Sequence, residues 1–158
     1  MAHFIVRQVP IEQTRPLRHA VLRPHQSLDA LAAHEPPGAY AVGAFADDDR
    51  LIAVGFVGPD GTAPGGWRVR GMATRSDARG QGAGRAILAA LVHYAGAHGA
   101  TRVWCNARTP ARSLYERAGF AVVSEEFELP EIGPHLVMEL RDPAESQRPS
   151  RRAARAST

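Results

Sequence analysis

Lysine is missing from this chain of 158 residues, in which all nineteen basic side chains are arginine. That absence removes Schiff-base catalysis and any phosphate loop that depends on a lysine. Cysteine is nearly missing as well. The single thiol, Cys105, has no partner for an internal disulfide and no second thiol with which to build a zinc site. The seven histidines (residues 3, 19, 25, 34, 93, 98 and 135) are scattered without ligand spacing, so no metal is expected. No apolar run approaches the ~20 residues of a membrane-spanning helix, and residues 1–7 carry no charged-then-apolar leader. The reading is a protein without membrane partners and with a cytoplasmic location.

The formal charge of +3 looks basic until it is located. Residues 141–158 hold five arginines against Asp142 and Glu145, whereas residues 1–140 hold fourteen arginines against fourteen acids. A nucleic-acid-binding domain carries its positive charge on the fold itself, because neutralising phosphates supplies most of its affinity. Nucleic acid is therefore not expected as a partner. One domain over residues 1–141 is expected, followed by a disordered arginine-rich tail over 142–158.

Patterning predicts strands over 3–9, 39–46, 51–57, 67–74, 101–106, 120–128 and 135–141. Helices are predicted from Thr14, which can cap the first of them, to about Pro24, over 84–98 and over 110–118, with residues 24–37 irregular. The helix over 84–98 has the clearest signal, with Ile87, Leu88, Leu91, Val92 and Ala95 at helical spacing and Gly99 placed to stop it. This order makes an α/β sandwich whose parallel strand pair flanks that helix. A hairpin turn over Asp47 to Arg50 joins the second and third strands.

Between the fourth strand and the main helix lies Arg79-Gly80-Gln81-Gly82-Ala83-Gly84-Arg85. Glycines there permit positive φ and let backbone N–H groups approach a ligand, and a helix N-terminus flanked by arginines favours an anion. A dinucleotide fingerprint fails, because Arg85 or Ile87 falls where its third glycine must be. A Walker loop fails for want of lysine.

The turn does resemble the R/Q-x-x-G-x-G/A signature of the GNAT N-acetyltransferases, read as Arg79-x-x-Gly82-x-Gly84. Arg70-Gly71-Met72-Ala73-Thr74 precedes it, Asn106 ends the fifth strand, and residues 111–120 resemble that family's A-x-x-L-Y-x-x-x-G-F segment. The resemblance implies a mixed sheet of six to seven strands with about four helices. It also implies acetyl-CoA as co-substrate, its pyrophosphate at residues 79–85, its acetyl carbonyl and pantetheine arm on the backbone of Met72, Ala73 and Thr74, and Asn106 on that arm or on an ordered water. Tyr115 matches the tyrosine that protonates the departing sulfur, although packing against Leu114 and Phe120 is an alternative role. For the general base, His135, Glu126 and a water relay stay open.

The expected reaction is transfer of an acetyl group to a small primary amine by direct attack. A silent acyl-CoA sensor and a protein N-terminal or lysine acetyltransferase are the alternatives. A homodimer through the final strands is common in the family and is an expectation here. Arg18, His19 and Arg23 near the first helix would favour an acceptor bearing a carboxylate or phosphate. Cys105, inside an apolar strand, reads as a buried thiol rather than a nucleophile.

Overall fold

The computed structural model describes residues 3–61 and 64–146. Eight strands form one sheet: β1 (Phe4–Gln8), β2 (Tyr40–Ala46), β3 (Leu51–Pro59), β4 (Gly66–Thr74), β5 (Arg102–Arg108), β6 (Ala121–Val122), β7 (Phe127–Leu129) and β8 (Gly133–Arg141). Their order is β1-β2-β3-β4-β5-β8-β6, with β7 also on β8. Five α-helices accompany them: α1 (Arg15–Leu22), α2 (Leu28–Ala32), α3 (Ala83–Ala97), α4 (Arg112–Arg117) and α5 (Pro143–Ser146). All strand pairs are antiparallel except β4 with β5, which α3 connects as the predicted crossover.

Strand alternation divides the sheet into two faces. Val42, Val57, Val69, Val103 and Met138 meet Ile87, Leu88 and Leu91 of α3 in the larger core. On the other face Ala41, Phe45 and Phe56 form a smaller cluster, beside which α1 crosses β3 and β4. The main helix stops as its glycine predicts. Gly99 adopts φ +90°, the Ala100 amide bonds the Ala95 carbonyl at 3.0 Å, and the Gly99 amide bonds that of Gly96, a paired arrangement that closes the last carbonyls.

Four expectations are corrected. Thr14 does not cap α1, because its hydroxyl donates to the Ile11 carbonyl at 2.6 Å within a 3₁₀ turn over Ile11–Thr14. Residues 24–37 are not wholly irregular. Ser27 accepts from the Ala30 amide at 3.1 Å and caps the short α2. The strand expected over 120–128 splits into β6 and β7, because the Ser124 hydroxyl takes the Val137 amide at 2.8 Å where a strand carbonyl would have bonded it. The expected tail begins with structure: α5 packs against α3 at Gly96, where a Cβ would come within 2.9 Å of the Ala144 nitrogen. Residues 147–158 of that tail lie outside the described residues.

Candidate active site

The cleft arises from a failure of pairing. β4 and β5 are bonded only where Gly66–Arg68 meets Arg102–Trp104, and beyond that point they separate. Two local causes pull them apart. β5 runs alongside β8 over its whole length, Arg102 opposite Arg141 through Arg108 opposite His135. β4 carries a bulge, with Gly71 and Met72 together facing Gly55 of β3, and bulges bend and twist a strand. Gly71 sits at φ +67°, and a Cβ there would lie 2.6 Å from the Phe56 ring and 3.0 Å from Arg18 Nε. Only glycine suits that corner. The β4 edge from Val69 to Thr74 therefore turns backbone groups toward open space rather than toward a strand.

That space is a cavity of about 710 Å³. Met72, Ala73, Thr74, Arg79 and Gly84 line its α3 end, and Asn106, Tyr115 and His135 line its middle. Gly82 stands at φ +86° before α3, whose N-terminus has no side-chain cap and no acid in its first turn. The first intrahelical bond runs from the Ala86 amide to the Gly82 carbonyl, which leaves the amides of Ala83, Gly84 and Arg85 as donors. Nothing lies within 4 Å of where a Cβ would stand on Gly80 or Gly82. Open backbone donors, a helix N-terminus and Arg79 fit a pyrophosphate. Gly80, Gln81, Gly82 and Arg85 are exposed at the mouth, whereas the Ala83 methyl is buried in the α3 core.

Tyr115 is buried, its ring edge-on to Phe120 at 5.6 Å, so it both packs and lines the cavity. Burial pushes its phenol well up, and the neighbouring Cys105 thiol adds to this. The Cys105 thiol is itself pushed up to about 12, chiefly by burial. As expected, this is a buried thiol. His135 is buried on β8, and its Nδ1 lies 2.8 Å from the Gly133 carbonyl. A carbonyl only accepts, so Nδ1 carries the proton of the neutral ring and Nε2 keeps its lone pair. The Asn106 amide makes no side-chain hydrogen bond to any other described residue and is available to a ligand.

Other candidates fall away. Glu126 is exposed, accepts from the Thr109 hydroxyl at 3.1 Å and does not line the cavity. Its acidic neighbours Glu125, Glu128 and Glu131 are also exposed, a solvated face. Glu139 shares the face of His135 but is held by Arg102 and Arg141, whose hydrogen bonds outweigh burial and keep its carboxyl low. Of the trio Arg18, His19 and Arg23, Arg18 is locked in a buried ion pair with Glu35 at 2.8 Å and His19 is not on the cavity wall. Arg23 remains. Inspection of the sequence missed Arg68, Arg70 and Arg108, which also line the cavity. For Arg68 and Arg70 the available signal was their i, i+2 spacing inside a largely apolar strand; β5 offers none for Arg108.

Among the described residues no cluster of three or more metal-ligating side chains occurs, and no helix is long and apolar enough to cross a membrane.

Comparison with known proteins adds an independent observation. The model of the Acetyltransferase (GNAT) family matches residues 7–120. The uncharacterized N-acetyltransferase YitI of Bacillus subtilis (strain 168) is 34% identical over 139 residues, covering 84% of this chain and 93% of the relative. Among solved structures, Escherichia coli ElaA superposes with a TM-score of 0.70 at 17% identity, covering 88% of this chain and 99% of that one. The ribosomal-protein-S18-alanine N-acetyltransferase of Escherichia coli superposes with a TM-score of 0.69 at 17% identity, covering 88% and 94%.

Proposed function

The chain belongs to the GNAT acetyltransferase family and is an N-acetyltransferase, and on that premise we propose that it moves the acetyl group of acetyl-CoA onto the primary amine of a small molecule, by direct attack and without a covalent enzyme intermediate. The observation that carries this reading is a convergence: the glycine turn, the unpaired β4 edge, Tyr115 and His135 all meet at one cavity. Acetyl-CoA supplies an activated thioester carbonyl. The turn at residues 79–85 receives its pyrophosphate on backbone amides and Arg79. Amides of Met72, Ala73 and Thr74 stabilise the negative charge that develops on the acetyl oxygen. Asn106 bonds the pantetheine arm.

Attack forms the N–C bond and breaks the C–S bond, so one proton must leave nitrogen and one must reach sulfur. His135 Nε2 is the acceptor for the first, directly or through water. Tyr115 serves the second by donating a hydrogen bond to the sulfur as charge builds there. Because its phenol is held far above an ordinary thiol pKa of about 8.5, full transfer from Tyr115 to the thiolate would run uphill. The sulfur therefore draws its proton ultimately from solvent, and Tyr115 stabilises the leaving charge.

A small acceptor is favoured over a peptide by the cavity's cover. Leu31 of α2, Leu129 at the end of β7 and Ile132 of the β7–β8 turn all line the cavity.

Calorimetric titration of acetyl-CoA tests the donor site. Gly82→Ala places a methyl where the pyrophosphate would lie and strains a left-handed residue by roughly 1–2 kcal/mol. We expect a folded protein with acetyl-CoA affinity reduced at least tenfold; unchanged affinity would remove the turn from the donor site. His135→Gln is expected to lower turnover by about 100-fold, the low end of the range for a positioned base because water can replace the ring, with acetyl-CoA affinity retained. An unchanged pH–rate profile in that variant would exclude His135 as the base.

A further inference from the structure

The charges on the cavity wall are one-sided. Six lining residues are arginine and none is aspartate or glutamate. Two are accounted for, since Arg18 is neutralised by Glu35 and Arg79 belongs to the glycine turn. The other four, Arg23, Arg68, Arg70 and Arg108, make no ion pair with any described residue. Their anchors are neutral. Arg70 Nη1 donates to the His34 carbonyl at 2.9 Å, and Arg108 Nη2 donates to the Leu22 carbonyl at 2.8 Å. Arg68 lies over the Trp104 ring at 4.6 Å, and its Nε is buried with no hydrogen-bond partner.

Asp60 accepts from the Trp104 indole and attracts Arg68 and Arg70 through space. Burial, with repulsion from Arg70 and Arg23, lowers Arg68 to about 10. Arg70 is lowered by burial and by Arg23 in the same way, so these groups repel one another in a partly dry wall. Arg108 is lowered by burial and then by repulsion from Arg23 and from Arg79 of the glycine turn. An oxyanion on the cavity side of these guanidinium groups would relieve the repulsion, and the planar fork of arginine matches a carboxylate or phosphate bidentately.

We propose that Arg23, Arg68 and Arg70 form an oxyanion-binding subsite at the acceptor end of the cavity, so that the amine acetylated here carries a carboxylate or phosphate in the same small molecule. This rests on the acetyl-transfer reading of the same cavity. It also predicts discrimination. Polyamines and other cationic amines meet like charge and are rejected.

The test compares matched acceptors by thiol release from acetyl-CoA: α-amino acids against their carboxamides, 2-aminoethyl phosphate against ethanolamine, and spermidine. The oxyanion-bearing member of each pair should show kcat/KM at least tenfold higher, and whichever pair shows the larger ratio identifies carboxylate or phosphate. In Arg68→Met and in Arg70→Met, each lost charged contact should raise KM for that acceptor about 10- to 100-fold with kcat largely kept. The acetyl-CoA dissociation constant should be unchanged. A variant that lowers kcat and leaves KM alone counts against the subsite, as does equal or better use of amides or spermidine.

A second measurement does not depend on turnover. Succinate at about ten times its dissociation constant should raise the Tm of the wild type by about 3–5 °C. The same rise is expected for Gly82→Ala, and none for Arg68→Met/Arg70→Met or for Arg23→Gln. If succinate stabilises in this pattern while no amine is acetylated, the subsite stands and the reaction assigned above fails. If neither succinate nor 2-aminoethyl phosphate raises the Tm of the wild type, the subsite is overturned whatever the enzyme does with acetyl-CoA.

Discussion

Replacing Tyr115 with phenylalanine is expected to lower kcat about 100-fold or more, the range for losing a preorganised donor to developing charge, with the acetyl-CoA dissociation constant within twofold of wild type. The argument combines two features of its position. The ring fills a place in the core beside Phe120, so the substitution keeps the packing and deletes only the hydroxyl. The hydroxyl stays protonated across the working pH range, because burial and the adjacent Cys105 push its pKa up. Single-turnover rates separate chemistry from binding and make the comparison direct. A variant that keeps the wild-type rate would show Tyr115 to be packing alone, with no part in stabilising the leaving sulfur.

The largest expected loss of stability comes from Glu35→Ala. Arg18 and Glu35 are 5% and 6% exposed and form a pair at 2.8 Å, and Arg15 completes the carboxylate's bonds at 2.6 Å. Removing the acid leaves a buried guanidinium without its counter-charge, which costs about 3–5 kcal/mol, or a fall in Tm of roughly 6–20 °C for a domain of this size. The consequence reaches the site, because Arg18 lies over the Phe56 ring and against the bulge at Gly71. Burial pushes the Glu35 carboxyl up, but the hydrogen bonds and charges of Arg15 and Arg18 together outweigh it and hold it below its ordinary value. A carboxyl lowered in the folded state contributes stability that is present above its unfolded pKa and is lost as pH falls through the folded one. Thermal unfolding from about pH 5 downward should therefore show a steeper decline for the wild type than for Glu35→Gln. Parallel curves would mean that the pair adds nothing to acid sensitivity.

The elements legible in the sequence are those whose signal is local. α3 is written in the spacing from Ile87 to Ala95 and in Gly99, because a 3.6-residue period and a left-handed stop are properties of a short segment. The anion-binding turn is likewise local, since Gly80 and Gly82 with Arg79 need only the start of one helix to act. Short elements with weaker patterns were obscured. α2 has five residues and depends on the Ser27 cap and on packing against α1, and β6 and β7 exist only as partners of β8.

Residue types and local spacing thus determined by themselves the α/β class, the main helix and the glycine turn, while Tyr115 was marked only by the resemblance of residues 111–120 to the GNAT family. Tertiary structure decided which of those groups meet. It left Glu126, which a run of four acids in sequence had made plausible, in solvent and off the cavity wall. It withdrew Arg18 from the acceptor by pairing it with Glu35, seventeen residues away. It brought Arg23 of the α1 exit, Arg68 and Arg70 of β4 and Arg108 of β5 to one wall. The cleft itself depends on where β4 stops pairing with β5, and a strand's register and divergence are set by partners distant in sequence rather than by its own residues.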